Sequence, residues 1–276
     1  MSQLLGSDGC PKAIPGSSLV TFLRSAGYEL VHMGEYVDAT GQFSDATQQK
    51  SRDEALEHAT AFFKQRSASK PLFAVVHFKG GHWVYDGVGD DLRARYDDAI
   101  ERTLDAVAKL VQALPRETIV VVAGDHGEEF GEHSGGYHAS SLYEEVLRTQ
   151  MLVRAPALKP GRDPRPLECV SLAEMIAALV SDAPPSQRAP ESFALIVSPK
   201  GVHGGLTESM SFASVRPDGL KLIWQPRLDL FELYDLERDP SEKRNLADER
   251  PAELRALAGH LLDRVQACAG PQRFIE

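Results

Sequence analysis

Apolar residues recur along this chain at two different periods, and the alternation between them predicts layers of helix and strand. Between residues 51 and 66, Ala55, Ala59, Phe62 and Phe63 fall at i, i+4, i+7 and i+8, the stripe of an amphipathic helix. Between 91 and 114, Tyr96, Ile100, Leu104, Val107, Leu110, Val111 and Leu114 share one helical face, and acids crowd its start, where the helix dipole favours them. Two runs show no polar alternation, PLFAVVHF (71–78) and TIVVVA (118–123). Continuous apolar runs of that length predict strands buried on both faces. Shorter signals predict a helix over 17–26 closed by Gly27, a strand over 28–33, a helix over 140–148, a strand over 151–154 and a helix over 171–181. The polar stretch 38–50 reads as loop.

Strands alternating with helices of these lengths predict an α/β fold with a largely parallel sheet flanked by helices. The Pro-rich segment APPSQRAP (183–190) marks the expected boundary. Residues 1–190 would form the α/β core. Residues 191–276 would form a small C-terminal α+β subdomain, with strand-like runs near 193–197, 209–215 and 219–225. A turn-rich stretch over 234–245 and a last helix over 251–268 complete it.

Composition narrows the function classes. The 276 residues carry 30 Lys and Arg against 40 Asp and Glu, a net charge of −10. Phosphate neutralisation needs clustered cations, so nucleic acid is not an expected partner. Cys10, Cys169 and Cys268 are isolated and odd in number, which fits thiols of a reducing compartment. The first fifteen residues hold one Lys and no apolar core of a signal peptide, and no window approaches about 18 consecutive apolar residues. The chain as written is therefore expected to be cytoplasmic, and a longer parent protein would reopen that question.

In open α/β sheets, ligands bind at the carboxyl ends of the strands, so the loops after 71–78 and 118–123 matter most. The second loop reads GDHGEEFGEH (124–133), and Asp125 and His126 leave the strand directly. A carboxylate beside an imidazole, among glycines that permit tight turns, suits a metal site, whereas composition alone favours an acidic solvated loop. His126 and His133 are seven apart, which excludes the HExxH spacing. Glu128, Glu129 and Glu132 read as loop structure or helix N-terminal charge rather than ligands. In the first loop, KGGHWVY (79–85), His82 is placed to act as a general acid or to bind an anion. His77, inside the apolar run, reads as a core histidine. His138 precedes an expected helix start, which attracts anions. No GxSxG, GxxxxGK[ST] or GxGxxG motif is present.

At these residues the chain resembles the sulfatase family of the alkaline phosphatase superfamily. ETIVVVAGDHGEEFGEH (117–133) resembles that family's strand and DHG metal loop, and HASSLYEEVLRTQMLVRAP (138–156) its His-Gly-x-x-Leu-Tyr-Glu-Glu segment. PLFAVVHFKGGHWVYD (71–86) resembles the strand bearing the PHxPY histidine, and YDDAIERTLDAVAKLVQAL (96–114) the intervening helix. LKLIWQP (220–226) and ELYDLERDPSEKRNLAD (232–248) resemble the C-terminal signature. The resemblance implies a partial alkaline-phosphatase-like core and hydrolysis of sulfate esters at a divalent metal site. It implies Asp125 and His126 as metal ligands. His82 would meet the ester oxyanion or protonate the leaving group, and His138 would contact the transferred group. Ca²⁺ is the family's usual ion, and the imidazole of His126 shifts preference toward Mn²⁺ or Zn²⁺. A small-molecule or glycan sulfate or phosphate ester is the implied partner.

The departures carry equal weight. The family's N-terminal Asp pair and its C-x-P-S-R nucleophile motif have no counterpart, since CPKAI (10–14) does not match. IPGSSLVTFLRSAGYELVHMGEYV (14–37) resembles a later family segment, in which Glu35 and Val37 replace an anion-binding Lys and His. The expectation is an incomplete hydrolase, with a non-catalytic remnant or binding module, or a phosphoesterase, phosphonate hydrolase or head-group transferase, as alternatives.

Overall fold

The computed structural model of the protein describes residues 18–36, 43, 45–67, 69–82, 84–138, 141–163, 168, 171–181, 191–198 and 209–269. Helix α1 (Ser18–Ser25) ends at Gly27, whose φ of 81° is the left-handed conformation that glycine adopts without strain. It leads into β1 (Glu29–Gly34), which is buried along nearly its whole length. Strand β1 sits between β2 (Asp45–Gln48) and β3 (Leu72–His77) in a parallel three-stranded sheet. Helix α2 (Arg52–Gln65) starts at Ser51, whose side chain accepts from the Glu54 N–H. Its small residues Ala55 and Ala59 are fully buried. Ala59 packs with Val31, Met33 and Leu110. Leu110 belongs to α3 (Leu92–Ala113), the long amphipathic helix.

Four expectations change here. The stretch 38–50 contains a strand, β2, although its residues DATQ are polar. Backbone pairing with β1 makes it a strand without any apolar face. Acids do not occupy the first turn of α3; Asp91 is the N-cap, accepting from the Ala94 N–H at 2.8 Å. Strands β3 and β4 (Val120–Ala123) are half-buried rather than buried on both faces. Among the described residues each has one strand neighbour: β3 pairs with β1, and β4 runs antiparallel to β5 (Met151–Arg154). The expected helix over 140–148 shrinks to the single turn α4 (Glu144–Leu147), while α5 (Ser171–Ser181) matches its expectation. Cys10, Cys169 and the boundary segment 183–190 lie outside the described residues.

The C-terminal part is an antiparallel sheet of β6 (Ser192–Ser198), β7 (Ser209–Val215), β8 (Leu220–Gln225) and β9 (Leu230–Asp235), covered by α6 (Pro251–Ala269). Strand β9 extends into what sequence reading left as turn. Leu222, Leu233, Leu257 and Leu261 form its dry centre, each contributing about 1.5–3 kcal/mol through burial. Among the described residues no helix is long and apolar enough to cross a membrane.

Buried charge joins this sheet to the rest. Lys221 is fully buried, with Nζ 2.9 Å from Glu144 Oε1 and 2.8 Å from Glu242 Oε1. Glu242 also accepts from the Glu144 N–H. Burial raises the Glu242 carboxyl above its ordinary range, and Lys221 opposes that rise. Beside them, His133 stacks on Tyr143 with ring centres 3.6 Å apart. Its Nδ1 lies 2.5 Å from Glu145 Oε1 and its Nε2 lies 3.0 Å from the Glu242 carbonyl. A carbonyl only accepts, so Nε2 carries a proton, and a proton is also shared between Nδ1 and the carboxylate. Burial disfavours the imidazolium, yet the bonds to Glu145 and Glu242 outweigh it and raise the His133 pKa.

Two predictions follow from this network. Lys221→Met leaves two facing carboxylates uncompensated and should cost about 3–5 kcal/mol in urea denaturation; an unchanged midpoint would remove the network from the stability of the fold. The folded chain holds the His133 proton more tightly than the unfolded chain. That stabilisation is complete below the ordinary value of 6.5 and fades as pH rises through the folded value. Urea midpoints across that window should fall more steeply for the wild type than for His133→Gln; parallel curves would exclude His133 as the source.

Candidate functional site

The site is built from two loops at the carboxyl ends of β3 and β4. The first is pinned along its length. The turn after β3 closes with the His82 N–H donating to the Lys79 carbonyl at 2.8 Å. Gly80 and Gly81 press on α3, where an added Cβ would meet Thr103 Oγ1 at 1.6 Å and Ile100 Cδ1 at 2.6 Å. Farther on, Arg52, 5% exposed, donates to Asp86 at 2.8 Å and also to Ala99 and Thr103 on α3. Tyr85 is buried and donates its hydroxyl to Glu128 at 3.0 Å.

The second loop leaves β4 with Asp125, which is exposed, and His126. Gly127 then passes so close to α4 that a Cβ would lie 2.1 Å from the Glu145 carbonyl. Next comes Glu129, 1% exposed, whose carboxylate accepts from the His133 N–H, the Gly135 N–H and the Ser141 hydroxyl at 3.0, 2.8 and 3.1 Å. The backbones of Glu129 and Tyr137 exchange hydrogen bonds at 3.1 and 2.8 Å. This closes a hairpin and returns the chain beside its own start. His138 therefore stacks on His126 with ring centres 4.1 Å apart, and His82 meets His138 edge-on at 5.2 Å.

The partners of these rings fix their free atoms. His138 Nδ1 donates to Glu128 Oε1 at 3.0 Å, and His126 Nδ1 donates to the Gly127 carbonyl at 2.8 Å. In both rings Nε2 is left for a ligand. His126 Nε2 lies 3.8 Å from Asp125 Oδ2. Among the described residues no group of three or more His, Cys, Asp or Glu side chains is arranged to hold a metal ion. Asp125 and His126 thus offer two donors, whereas Ca²⁺ takes about six to eight and Zn²⁺ about four. The pair fits part of a coordination sphere and does not make a whole one.

All four residues singled out in the sequence, His82, Asp125, His126 and His138, meet at this one end of the strands. His77 was misread as a core residue. It is the last residue of β3, only half-buried, with its ring 5.9 Å from that of Tyr36. Among the described residues its Nδ1 is buried without a hydrogen-bond partner. Burial lowers its pKa, against the pull of Asp125 and Glu35. The rule that drew attention to His82, position at a strand's carboxyl end, applies equally to His77. Glu129 is loop structure, as its composition suggested. Glu128 is more than that, since it holds His138 and Tyr85 together. A separate cleft of 360 Å³ opens between the hairpin and the C-terminal sheet, lined by Glu129, Tyr143, Gln225 and Glu232, and none of the four site residues lines it.

Comparison with known proteins finds sulfatases. The chain is 28% identical over 188 residues to "Uncharacterized sulfatase YidJ" of Escherichia coli K12, covering 61% of this chain and 37% of that protein. It is 26% identical over 208 residues to the "Delta 4,5-hexuronate-2-O-sulfatase" of Bacteroides thetaiotaomicron, covering 67% and 43%. The chain thus spans about two fifths of the length of these relatives. Among solved structures, BT4656 in complex with its substrate D-glucosamine-2-N,6-O-disulfate superposes with a TM-score of 0.67 at 14% identity, over 91% of this chain and 83% of that one. Ps i-CgsB in complex with a neocarrahexaose gives 0.66 at 15%, over 99% and 80%. The sulfatase family model matches residues 8–183, and with the α/β fold and the motifs in order this chain belongs to the sulfatase family.

Proposed function

We propose that this chain carries part of a site that hydrolyses sulfate esters, with a sulfated carbohydrate as the substrate class. The observation that carries the reading is the row of rings His82, His138 and His126, with Asp125 beside it, at the carboxyl ends of β3 and β4. His138, held through Nδ1 by Glu128, directs Nε2 at the transferred group. His82, on its rigid turn, donates a proton to the leaving oxygen. Asp125 and His126 would hold a divalent ion together with donors from outside the described residues. Ca²⁺ is favoured by family resemblance, and Mn²⁺ or Zn²⁺ by the imidazole. When bound, such an ion supplies charge neutralisation at the non-bridging oxygens. The nucleophile also comes from outside the described residues, because no C-x-P-S-R segment occurs in the 276 residues. The names of two comparison proteins support the substrate class, one a hexuronate 2-O-sulfatase and one bound to a disulfated glucosamine. The division into 1–190 and 191–276 is part of this reading, since every residue given a role here precedes 190.

A second reading, a binding module that keeps the fold without turnover, is favoured by the same missing nucleophile segment. A panel of 4-nitrophenyl sulfate, phosphate and phosphodiester with added Ca²⁺, Mn²⁺ or Zn²⁺, offered to this chain together with the segment that supplies the nucleophile, decides between them. The hydrolase reading expects metal-dependent cleavage of the sulfate ester that falls by about 10²-fold or more in His82→Ala, the scale of general acid catalysis. Asp125→Ala should remove the metal dependence with the activity. Wild-type rates in either variant would take that residue out of the mechanism. Folded protein that binds inorganic sulfate and cleaves none of the esters would support the binding module instead.

A further inference from the structure

Resting on the oxyanion reading of the site, we infer that Glu35 clamps the turn after β3 and thereby sets the Lys79 ammonium beside His82, as the cation that meets the sulfate group. The argument begins with register. Gly34 stands opposite His77 at the shared end of β1 and β3. Its φ is 132°, and an added Cβ would lie 2.1 Å from the His77 carbonyl oxygen, so only glycine lets β1 cross the end of β3 this closely. The crossing is tied down on both sides. The Gly34 N–H donates to the Gln49 side-chain oxygen at 2.7 Å, the Glu35 N–H to the His77 carbonyl at 3.0 Å, and the Gln48 amide to the Glu35 carbonyl at 3.2 Å.

From that fixed backbone the Glu35 carboxylate accepts the Lys79 N–H at 2.8 Å. A charge-assisted bond of this kind is about twice as strong as a neutral one. It holds the first residue of the turn whose last residue is His82, and the Lys79 carbonyl closes that turn. Lys79 and His82 are thus placed as a unit, and Glu35 sets the unit's position against β1.

The charge around it explains what the unit is for. Glu35, Asp125 and Glu128 line this end of the strands, and an anion would be repelled there without a compensating cation. Arg52 is committed to Asp86, Ala99 and Thr103. The Lys79 side chain is exposed and follows the end of β3 by two residues, in the turn that His82 closes. The acid at position 35 therefore binds no sulfate itself. It is a positioning residue that presents a cation from the turn after the neighbouring strand.

The experiment is nuclear magnetic resonance on the full chain with inorganic sulfate as the probe, comparing Glu35→Gln, Glu35→Ala, Lys79→Ala and Lys79→Arg. The Lys79 amide signal should follow a carboxyl titration in the wild type and lose it in Glu35→Gln; an amide that never titrates would overturn the clamp. Lys79→Ala should raise the sulfate Kd roughly tenfold, the scale of one charge-assisted contact, and Lys79→Arg should restore most of the affinity. Glu35→Ala, which frees the turn, should weaken sulfate binding. Glu35→Gln keeps an acceptor for the Lys79 N–H and should bind sulfate as well as the wild type or better. Equal tightening in both Glu35 variants would mean that the acid acts by charge alone, and the positioning role would fall. Sulfate that leaves the wild-type His82 and His138 signals unmoved would overturn the oxyanion reading and the role of Lys79 together, while the amide titration still judges the clamp separately.

Discussion

The buried carboxylate of Glu129 is the constraint on which the site depends. An ionised carboxylate taken out of water costs several kcal/mol unless donors replace the lost hydration. Glu129 has three such donors, from His133, Gly135 and Ser141, and they come from both sides of one loop. Satisfying the charge therefore forces the chain between them to double back. Gly135 lies where a Cβ would be 2.7 Å from that carboxylate, so the return path admits no side chain there. The consequence is chemical. Asp125 and His126 leave the sheet before the hairpin, and His138 arrives after it, in contact with the ring it left behind.

The same loop fastens the site to the C-terminal sheet. His133 sits on the hairpin that Glu129 organises, and its two nitrogens reach Glu145 and the Glu242 carbonyl. Glu242 in turn shares Lys221 with Glu144 at the start of α4. Gly127 needs α4 in place, because its backbone lies against the Glu145 carbonyl. A hydrophobic interface would bury such surfaces at lower cost. A network of directional bonds instead fixes their mutual position, which matters for rings that must stand within a few ångströms of one another.

Much of this was legible in the sequence, and the reasons differ by element. Helices α2 and α3 declared themselves because their apolar positions follow the helical period and their N-caps are Ser51 and Asp91. The four residues that meet at the carboxyl ends of the strands drew attention because Asp125, His126 and His82 follow strand ends and His138 sits in a family motif, although the helix expected beside it begins only at Glu144. Strand β2 was not, because DATQ has no apolar period and owes its conformation to pairing with β1. His77 was misplaced because an apolar run was read as uniformly buried, whereas its last residue emerges at the site. Glu128 and Glu129 are adjacent and chemically identical in sequence. Only the three-dimensional return of the hairpin assigns one to holding His138 and the other to holding the loop.

The hydrogen-bond partners divide labour along the row of rings. His126 donates Nδ1 to the Gly127 carbonyl, a partner without net charge, which orients the ring with Nε2 on the side of Asp125. His138 donates Nδ1 to Glu128, a charged acceptor and therefore a stronger tether than the carbonyl that holds His126. Tyr85 donates to the other oxygen of Glu128 and keeps that carboxylate aimed. Tyr85 also lies three residues after His82, in the first loop. The carboxylate that readies one imidazole is thus oriented by the loop that carries another. A substitution in either loop disturbs both rings, and the two loops act as a single device although they are separated by the whole length of α3.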